Sequence, residues 1–314
     1  MTAIIGAGAF GTALAAALSV QQPVTLWGRS LPKGRTTPRL PGVVLPDAVT
    51  LTTDLATALE GQTHVILALP AQALRDFLAV EGLRLDGRGR WLVNTAKGID
   101  LTTGESPSSL IRAACPAALI ATLTGPSFAA DIARGLPTAL TLASGDAGLP
   151  ALQHALSTPT LRLYRSDDLR GAELGGALKN VIAIAAGVAI GAGFGDSARA
   201  ALITRGFAEM SRLSTALGAR ADTLAGLSGL GDLVLTSTSE LSRNFRFGRA
   251  LGAGEGFDAS VTVEGAATAR AVRGLAAAKG IAMPVAEAVA ALAEGRADVA
   301  ETLETLMSRP LKEE

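Results

Sequence analysis

The first half of the chain alternates short apolar runs with helix-period stretches. The runs are TAII (2–5), PVTLW (23–27), THVILAL (63–69), WLVNTA (91–96), ALIATLTG (118–125), PTALTLAS (137–144) and TLRLYR (160–165). Several are almost continuously apolar, as strands covered on both faces are. Helical stretches such as AQALRDFLAV and SFAADIARG separate them. This β-α alternation predicts an α/β domain built on a doubly wound, mainly parallel sheet. After about residue 168 the strand-like runs cease. LGGALKNVIAIAAGVAI, SARAALITRGFAEMSRLSTALGA, VEGAATARAVRGLAAAKG and MPVAEAVAALAEG all read as helices. In the second of these, Leu202, Phe207, Met210, Leu213 and Leu217 form a stripe close to helical period. The pattern therefore predicts an α/β domain over 1–167 and a nearly all-helical domain over 168–314. The Pro/Gly-rich segment LPKGRTTPRLPGVVLP (31–46) reads as a loop.

Composition narrows the function classes. Lys plus Arg and Asp plus Glu each number 28, so the net charge is zero. That argues against a nucleic-acid footprint, which needs a basic excess. The one cysteine, Cys115, forbids an intrachain disulfide and fits a reducing, cytoplasmic setting. The two histidines, His64 and His154, belong to no cluster with metal-ligand spacing, so no metal site is expected. The chain opens directly on a strand-like run, which leaves no room for a signal peptide. The longest apolar run, 181–195, lies between Lys179 and Asp196 and is shorter than the roughly 20 residues of a membrane span. A buried helix followed by a glycine-rich loop fits it better. Of the 28 basic residues only Lys33, Lys97, Lys179, Lys279 and Lys312 are lysines. In a chain so rich in arginine, a lysine in an apolar context raises the question of why an ammonium is needed.

The 36 glycines are about 11% of the chain, against a usual value of about 7%. A G-x-G-x-x-G match is correspondingly weak by itself. The match in IIGAGAFGTALA, however, follows a strand and opens a helix, which is the context the motif requires. Gly6 permits the tight turn, Gly8 lets backbone approach a pyrophosphate, and Gly11 lets the helix pack on the strand. The helix N-terminus then offers N–H groups to the phosphates. This Rossmann-like reading predicts a bound NADP or NAD. The second strand ends TLWGRS, with Arg29 near the place where NAD-selective sites carry an acid. An arginine can pair with a 2′-phosphate that an acid would repel, so NADPH is predicted to bind at least as well as NADH. A solvated loop charge is the alternative reading of Arg29.

Four later stretches carry candidate chemistry. NTAKGID puts Lys97 just past a buried strand, at the sheet edge where open α/β folds bind ligands. LTGPSFA places Gly125 and Ser127 at a strand-to-helix junction, where Ser127 can also be a plain helix cap. ELGGALKNVIAIAAG embeds Lys179 and Asn180 in an apolar helix. An ammonium is costly to bury alone, and a desolvated one loses its proton more readily, which suits proton transfer. A helix-edge lysine snorkelling to water is the alternative. In GLSGLGDLVLTSTSELSRNFRFGRALG, Ser242, Arg243 and Asn244 cluster donors beside Arg246, as a phosphate or carboxylate site would. Ser242 alternatively caps a helix. Asp232, amid small apolar residues, can orient a lysine or bond a substrate hydroxyl.

The ordered series GAGAFGTALA, LPGVVLP, TAKGI, TGPSFA, LGGALKNVIAIAAG, ALITRGFAEM, GLGDLVLT, SRNFRFG and VEG closely resembles the bacterial-type NAD(P)-dependent glycerol-3-phosphate dehydrogenases. The resemblance covers nearly the whole chain. It implies reversible reduction of dihydroxyacetone phosphate to sn-glycerol 3-phosphate, which feeds glycerophospholipid synthesis. It further implies that Lys179 is the proton donor and acceptor and that Lys97 touches both substrate and nicotinamide. Gly125, Ser127, Asn180, Asp232, Ser242, Arg243 and Asn244 match substrate positions. Ala9, Phe10, Arg29, Ala129, Arg243, Val263 and Glu264 match cofactor positions. Two departures stand out. Ala9 replaces a frequent serine, which leaves the cradle to backbone N–H groups. The 33–40 loop looks shortened and lacks the Asn and Tyr often found before LPG, so no role is carried over there. A homodimer is an assembly left open.

Two other readings stay in view. One is a sibling dehydrogenase acting on a different small hydroxy acid, phosphorylated substrate or nucleotide sugar. Oxidation of a nucleotide sugar to its acid needs a thiol nucleophile, and Cys115, in RAACPA, reads as structural. The other is a non-catalytic NADPH-binding sensor, which the set Lys97, Lys179, Asp232, Arg243 and Asn244 argues against.

Overall fold

The computed structural model describes residues 1–31 and 33–307. Pro32 of the predicted loop and residues 308–314, Lys312 included, lie outside the described residues, as do the side chains of Lys33 and Met307. Two compact units make up the chain. Unit 1 is Met1–Asp100 with Glu105–Glu173, and unit 2 is Leu101–Gly104 with the chain from Leu174 onward.

Unit 1 is built on one eight-stranded sheet. Its strands are β1 (Thr2–Ile5), β2 (Val24–Trp27), β5 (Val49–Thr52), β6 (His64–Leu67), β7 (Trp91–Asn94), β8 (Leu119–Thr124), β9 (Thr138–Ala143) and β10 (Leu161–Ser166). The order across the sheet is β10-β9-β8-β7-β6-β1-β2-β5. Every neighbouring pair is parallel except β8 and β9. The seven apolar runs thus form seven of these strands. The eighth, β5, escaped the pattern because it is a short, Thr-rich edge strand with its second half only partly buried. The segment expected to be a loop contains a small antiparallel pair, β3 (Thr36–Thr37) and β4 (Leu40–Val44). Its prolines and glycines conceal it from a pattern-based reading.

Successive strand residues point to opposite faces, and the sheet has a core on each. Ile4, Leu26, Val93 and Leu123 contribute to one core, and Ala3, Ile5, Leu92 and Ile120 to the other. Helices α1 (Ala9–Leu18), α5 (Ala129–Ala133) and α6 (Leu149–Leu156) cover the first face. Helices α2 (Leu55–Leu59), α3 (Ala71–Leu85) and α4 (Pro107–Ala114) cover the second. Local signals start several of them. Asp54 caps α2 by accepting from Ala56 and Thr57, and Ser106 caps α4 ahead of Pro107. The chain runs outward from β1 through β2 to β5, then returns to β6 on the other side of β1. That reversal is the topological switch point of an open α/β sheet.

Helix α7 (Leu169–Gly191) opens in unit 1 and runs on into unit 2. It is long and apolar enough to cross a membrane by length and composition, yet it is buried from Gly171 to Ala189 as a core helix. Unit 2 adds α8 (Gly195–Ala216), α9 (Ala221–Ala225), α10 (Asp232–Ser237), α11 (Arg243–Gly252), α12 (Glu264–Ala278), α13 (Pro284–Ala293) and α14 (Val299–Met307). Unit 2 has no strand among its described residues. The glycine excess has a structural use here. A Cβ added at Gly187 or Gly191 of α7 would lie 2.2 or 2.0 Å from the carbonyl oxygens of Phe245 or Arg249. A Cβ at Gly248 or Gly252 of α11 would lie 2.1 or 2.2 Å from those of Ile184 or Val188. The two helices therefore meet backbone to backbone, a contact only glycine permits.

Candidate active site

In unit 1 the glycine motif forms the turn from β1 into α1. Gly6 has φ +122°, and a Cβ there would lie 2.3 Å from the Ala68 carbonyl oxygen. A Cβ at Gly11 would lie 2.0 Å from the Gly6 carbonyl oxygen. Both glycines are therefore dictated by the protein's own packing. Gly8 differs: a Cβ there would meet nothing nearer than Arg39 Nη1, at 3.9 Å. Gly8 is also the N-cap of α1, with an extended backbone and no side-chain cap. The first-turn N–H groups of Ala9, Phe10 and Gly11 have no partner within the helix. A small residue over open space, with uncapped donors and a guanidinium nearby, is what a dinucleotide pyrophosphate requires.

The remaining predicted cofactor residues of unit 1 sit around this turn. A Cβ at Gly28 would lie 2.7 Å from that of Ala7, so the end of β2 abuts the glycine loop. Arg29 follows directly. It is exposed, and its side chain makes no ion pair or hydrogen bond among the described residues. Ala9, Phe10 and Ala129 pack at the margin of one core cluster, as α5 lies against α1. Nearby, the Lys97 ammonium donates to the Gly125 carbonyl oxygen at 2.9 Å. Ser127 Oγ donates to the same oxygen at 3.2 Å. Ser127 is not a helix cap, since the N-cap of α5 is Phe128. Lys97, Gly125 and Ser127 thus form one cluster.

Unit 2 holds the other. Lys179 is 6% exposed and Asp232 1%, so the snorkelling alternative fails. Lys179 Nζ donates to Asp232 Oδ1 at 3.0 Å and to Thr236 Oγ1 at 2.5 Å. Thr236 Oγ1 in turn donates to the same carboxylate oxygen at 3.2 Å. The ammonium is one member of a buried ion pair, which offsets its desolvation, and of the two roles open to Asp232 from sequence it is the contact with a lysine that forms. Helical spacing puts Asp232 and Thr236 on one face of α10. A π-type turn over Leu227–Gly231, a feature common at functional sites, leads into that helix.

The tight α7–α11 crossing positions the rest. Asn244 Nδ2 donates to Asn180 Oδ1 at 2.9 Å, and Asn244 Oδ1 accepts from the Gly265 N–H at 3.0 Å. Asn180 and Asn244 therefore bridge α7, α11 and the start of α12, where Val263 and Glu264 lie. Ser242 caps α11 by accepting from the Phe245 N–H at 3.2 Å, as its alternative reading held. Arg243, the first residue of α11, is exposed and makes no ion pair or side-chain hydrogen bond among the described residues. It is a guanidinium available to an anion.

Three residues of these clusters were not singled out from sequence. Thr236 had a usable signal, its i,i+4 spacing from Asp232. Asn94, which holds the turn before Lys97, also had a usable signal, as an amide in an apolar strand. Arg39 had no signal, because only the β3–β4 pair brings it over Gly8. Cys115 is fully buried, and burial pushes its thiol up to about 11. It is no nucleophile, which removes the nucleotide-sugar acid chemistry.

An open helix start at the switch point of a parallel sheet is where dinucleotide-dependent dehydrogenases hold their cofactor. The chain is by this reasoning an NAD(P)-dependent oxidoreductase. Comparison with known proteins narrows the class. The family models for the N-terminus and C-terminus of NAD-dependent glycerol-3-phosphate dehydrogenase match residues 1–149 and 168–304. An NAD(P)+ glycerol-3-phosphate dehydrogenase of Paracoccus denitrificans is 65% identical over 99% of each chain. Another, from Cereibacter sphaeroides, is 64% identical over 100% of each. The crystal structure of glycerol-3-phosphate dehydrogenase from Coxiella burnetii superposes with a TM-score of 0.92 at 34% identity, covering 98% of each chain. The chain belongs to the NAD-dependent glycerol-3-phosphate dehydrogenase family.

Proposed function

We propose that this chain catalyses the reversible reduction of dihydroxyacetone phosphate to sn-glycerol 3-phosphate with NADPH or NADH. In this reading residues 1–167 are the dinucleotide-binding domain and 168–314 the substrate domain. The observation that carries it is the buried Lys179–Asp232–Thr236 cluster.

When bound, the nicotinamide would supply hydride to C2 of the substrate. Negative charge then develops on the C2 oxygen. Lys179 gives that oxygen a proton from Nζ, and the reverse reaction returns it. Asp232 and Thr236 hold the ammonium in one orientation, and Asp232 stabilises its charge. Arginine cannot do this work, since it does not release its proton. Lys97 adds positive charge toward the developing oxyanion. The Arg243 guanidinium takes the substrate phosphate, assisted by Asn244 and Ser242, while Gly125, Ser127 and Asn180 shape the substrate's surroundings. The first turn of α1 holds the pyrophosphate through Gly8, Ala9, Phe10 and Gly11. Arg29 would pair with a ribose 2′-phosphate, which would make NADPH at least as good a cofactor as NADH. Ala129, Val263 and Glu264 complete the cofactor's contacts. The setting is cytoplasmic, where a lone thiol such as Cys115 stays reduced, and the assembly is a homodimer, which sedimentation of the purified chain tests.

The test is a steady-state assay of dihydroxyacetone phosphate with NADPH and NADH in parallel, beside small 2- and 3-oxo acids. The phosphorylated ketone is the expected substrate. Lys179→Ala removes turnover and leaves NADPH binding nearly intact; retained turnover would refute the role of Lys179.

A further inference from the structure

Unit 1 contains a buried carboxyl group that none of the roles above uses. Glu173 is 6% exposed. Its Oε1 accepts from the Ser108 N–H at 3.0 Å, the Thr122 hydroxyl at 3.0 Å and Asn94 Nδ2 at 3.4 Å. Its Oε2 accepts from Ser108 Oγ at 2.6 Å. Among the described residues no lysine or arginine pairs with it. Burial pushes the carboxyl upward, and the converging hydroxyl and N–H donors act in the opposite sense. A dry carboxyl without a counter-ion is costly. Its place in the fold suggests what it secures.

Two of its partners lie on adjacent strands of the sheet. Asn94, the last residue of β7, faces Thr122 of β8 in register. Each lies three residues before a member of the unit 1 cluster, Lys97 and Gly125 respectively. Asn94 also clasps the turn into Lys97: its Oδ1 accepts from the Ala96 N–H at 2.9 Å, and its Nδ2 donates to the Ala96 carbonyl at 3.3 Å. Lys97 then reaches the Gly125 carbonyl. The third partner, Ser108, sits in the first turn of α4, a fixed support on the same unit.

We propose that Glu173 is a positioning residue for substrate binding: its carboxyl ties β7 and β8, just ahead of their C-terminal turns, to α4 and so sets where Lys97 and the Gly125 turn meet the substrate. A role in proton transfer does not fit, because donors within unit 1 occupy both oxygens. The proposal rests on the reading of Lys97 as a substrate contact, and the experiment separates the two.

Five variants are assayed: Glu173→Leu, Glu173→Gln, Asn94→Ala, Lys97→Met and the double variant Glu173→Leu/Lys97→Met. Glu173→Leu lowers kcat/KM for dihydroxyacetone phosphate about tenfold or more, the scale of a lost hydrogen bond to a charged group. NADPH binding, measured by nucleotide fluorescence, stays within about threefold of the parent because the α1 cradle is untouched. Glu173→Gln restores kcat/KM: its Oε1 keeps three donors, and its amide donates to Ser108 Oγ, which can accept. Asn94→Ala repeats the loss with Glu173 in place, and decides the matter if Glu173→Leu does not fold. In the Lys97→Met background Glu173→Leu adds clearly less than its loss in the parent, since part of its effect runs through Lys97. Wild-type kcat/KM in both Glu173→Leu and Asn94→Ala, additive losses in the double variant, or equal loss of NADPH affinity would overturn the proposal. If Lys97→Met itself keeps wild-type kcat/KM, the reading of Lys97 falls instead.

Discussion

Breaking the Lys179–Asp232 pair separates what the buried charges do for folding from what they do for chemistry. The ammonium and carboxylate lie 3.0 Å apart with side-chain exposures of 8% and 1%. At an effective dielectric constant of about 20, their attraction is roughly 5–6 kcal/mol. Much of this offsets the desolvation of both ions, so the net worth of the pair is small. Removing one partner is different, because the other charge stays buried alone. Lys179→Met or Asp232→Leu singly should cost about 3–5 kcal/mol. For a unit of this size that lowers Tm by about 6–20 °C. The double variant Lys179→Met/Asp232→Leu replaces two ions with apolar groups of similar volume and should recover most of the loss. The assay is thermal unfolding of all four proteins in one buffer, with turnover of dihydroxyacetone phosphate measured on each. Recovery of Tm without recovery of turnover is the expected result. Additive losses in Tm, with no coupling between the sites, would refute the buried ion pair.

Three further outcomes are expected. Gly8→Ala should leave Tm unchanged, since the added Cβ meets only Arg39 Nη1 at 3.9 Å, and should weaken NADPH binding; Gly11→Ala should lower Tm, since its Cβ would lie 2.0 Å from the Gly6 carbonyl oxygen. Equal effects of the two on stability would show that the space over Gly8 is not reserved for a ligand. Arg29→Asp should shift the ratio of kcat/KM for NADPH over NADH toward NADH by at least about tenfold, the scale of one charge-assisted contact. Cys115, with its thiol held near 11, should resist iodoacetamide at pH 8 in the folded protein and react readily in urea. Its raised value favours the protonated folded state, so its contribution makes stability fall only as pH rises above about 9 and on through 11. Rapid labelling of the native chain would contradict the burial.

Much of this protein follows from local pattern. Strands buried on both faces must be almost wholly apolar, and seven of the eight large-sheet strands could be read off directly. The eighth, β5, is an edge strand, where burial does not dictate every position. The glycine motif was legible because Gly6 and Gly11 answer clashes a few residues away in the same turn. Lys179, Asp232 and Arg243 stood out as charges in unsuitable or crowded company. Partners distant in sequence were not legible. Nothing local says that Lys179 meets a carboxylate 53 residues on, that Asn180 is bridged to Asn244, or that Arg39 arrives over Gly8 on a short β pair. The glycines of α7 and α11 looked like excess composition until two helices crossed at backbone contact. The physical reason is common to these cases. Periodicity reports which face of an element is buried, whereas the identity of the group across that face depends on how elements cross. The sequence by itself determined seven strands of the sheet, the glycine turn and the candidate charges Lys179, Asp232 and Arg243; the tertiary structure alone decided which charges are paired, and so which lysine is a buried ion pair and which arginine stays open to an anion.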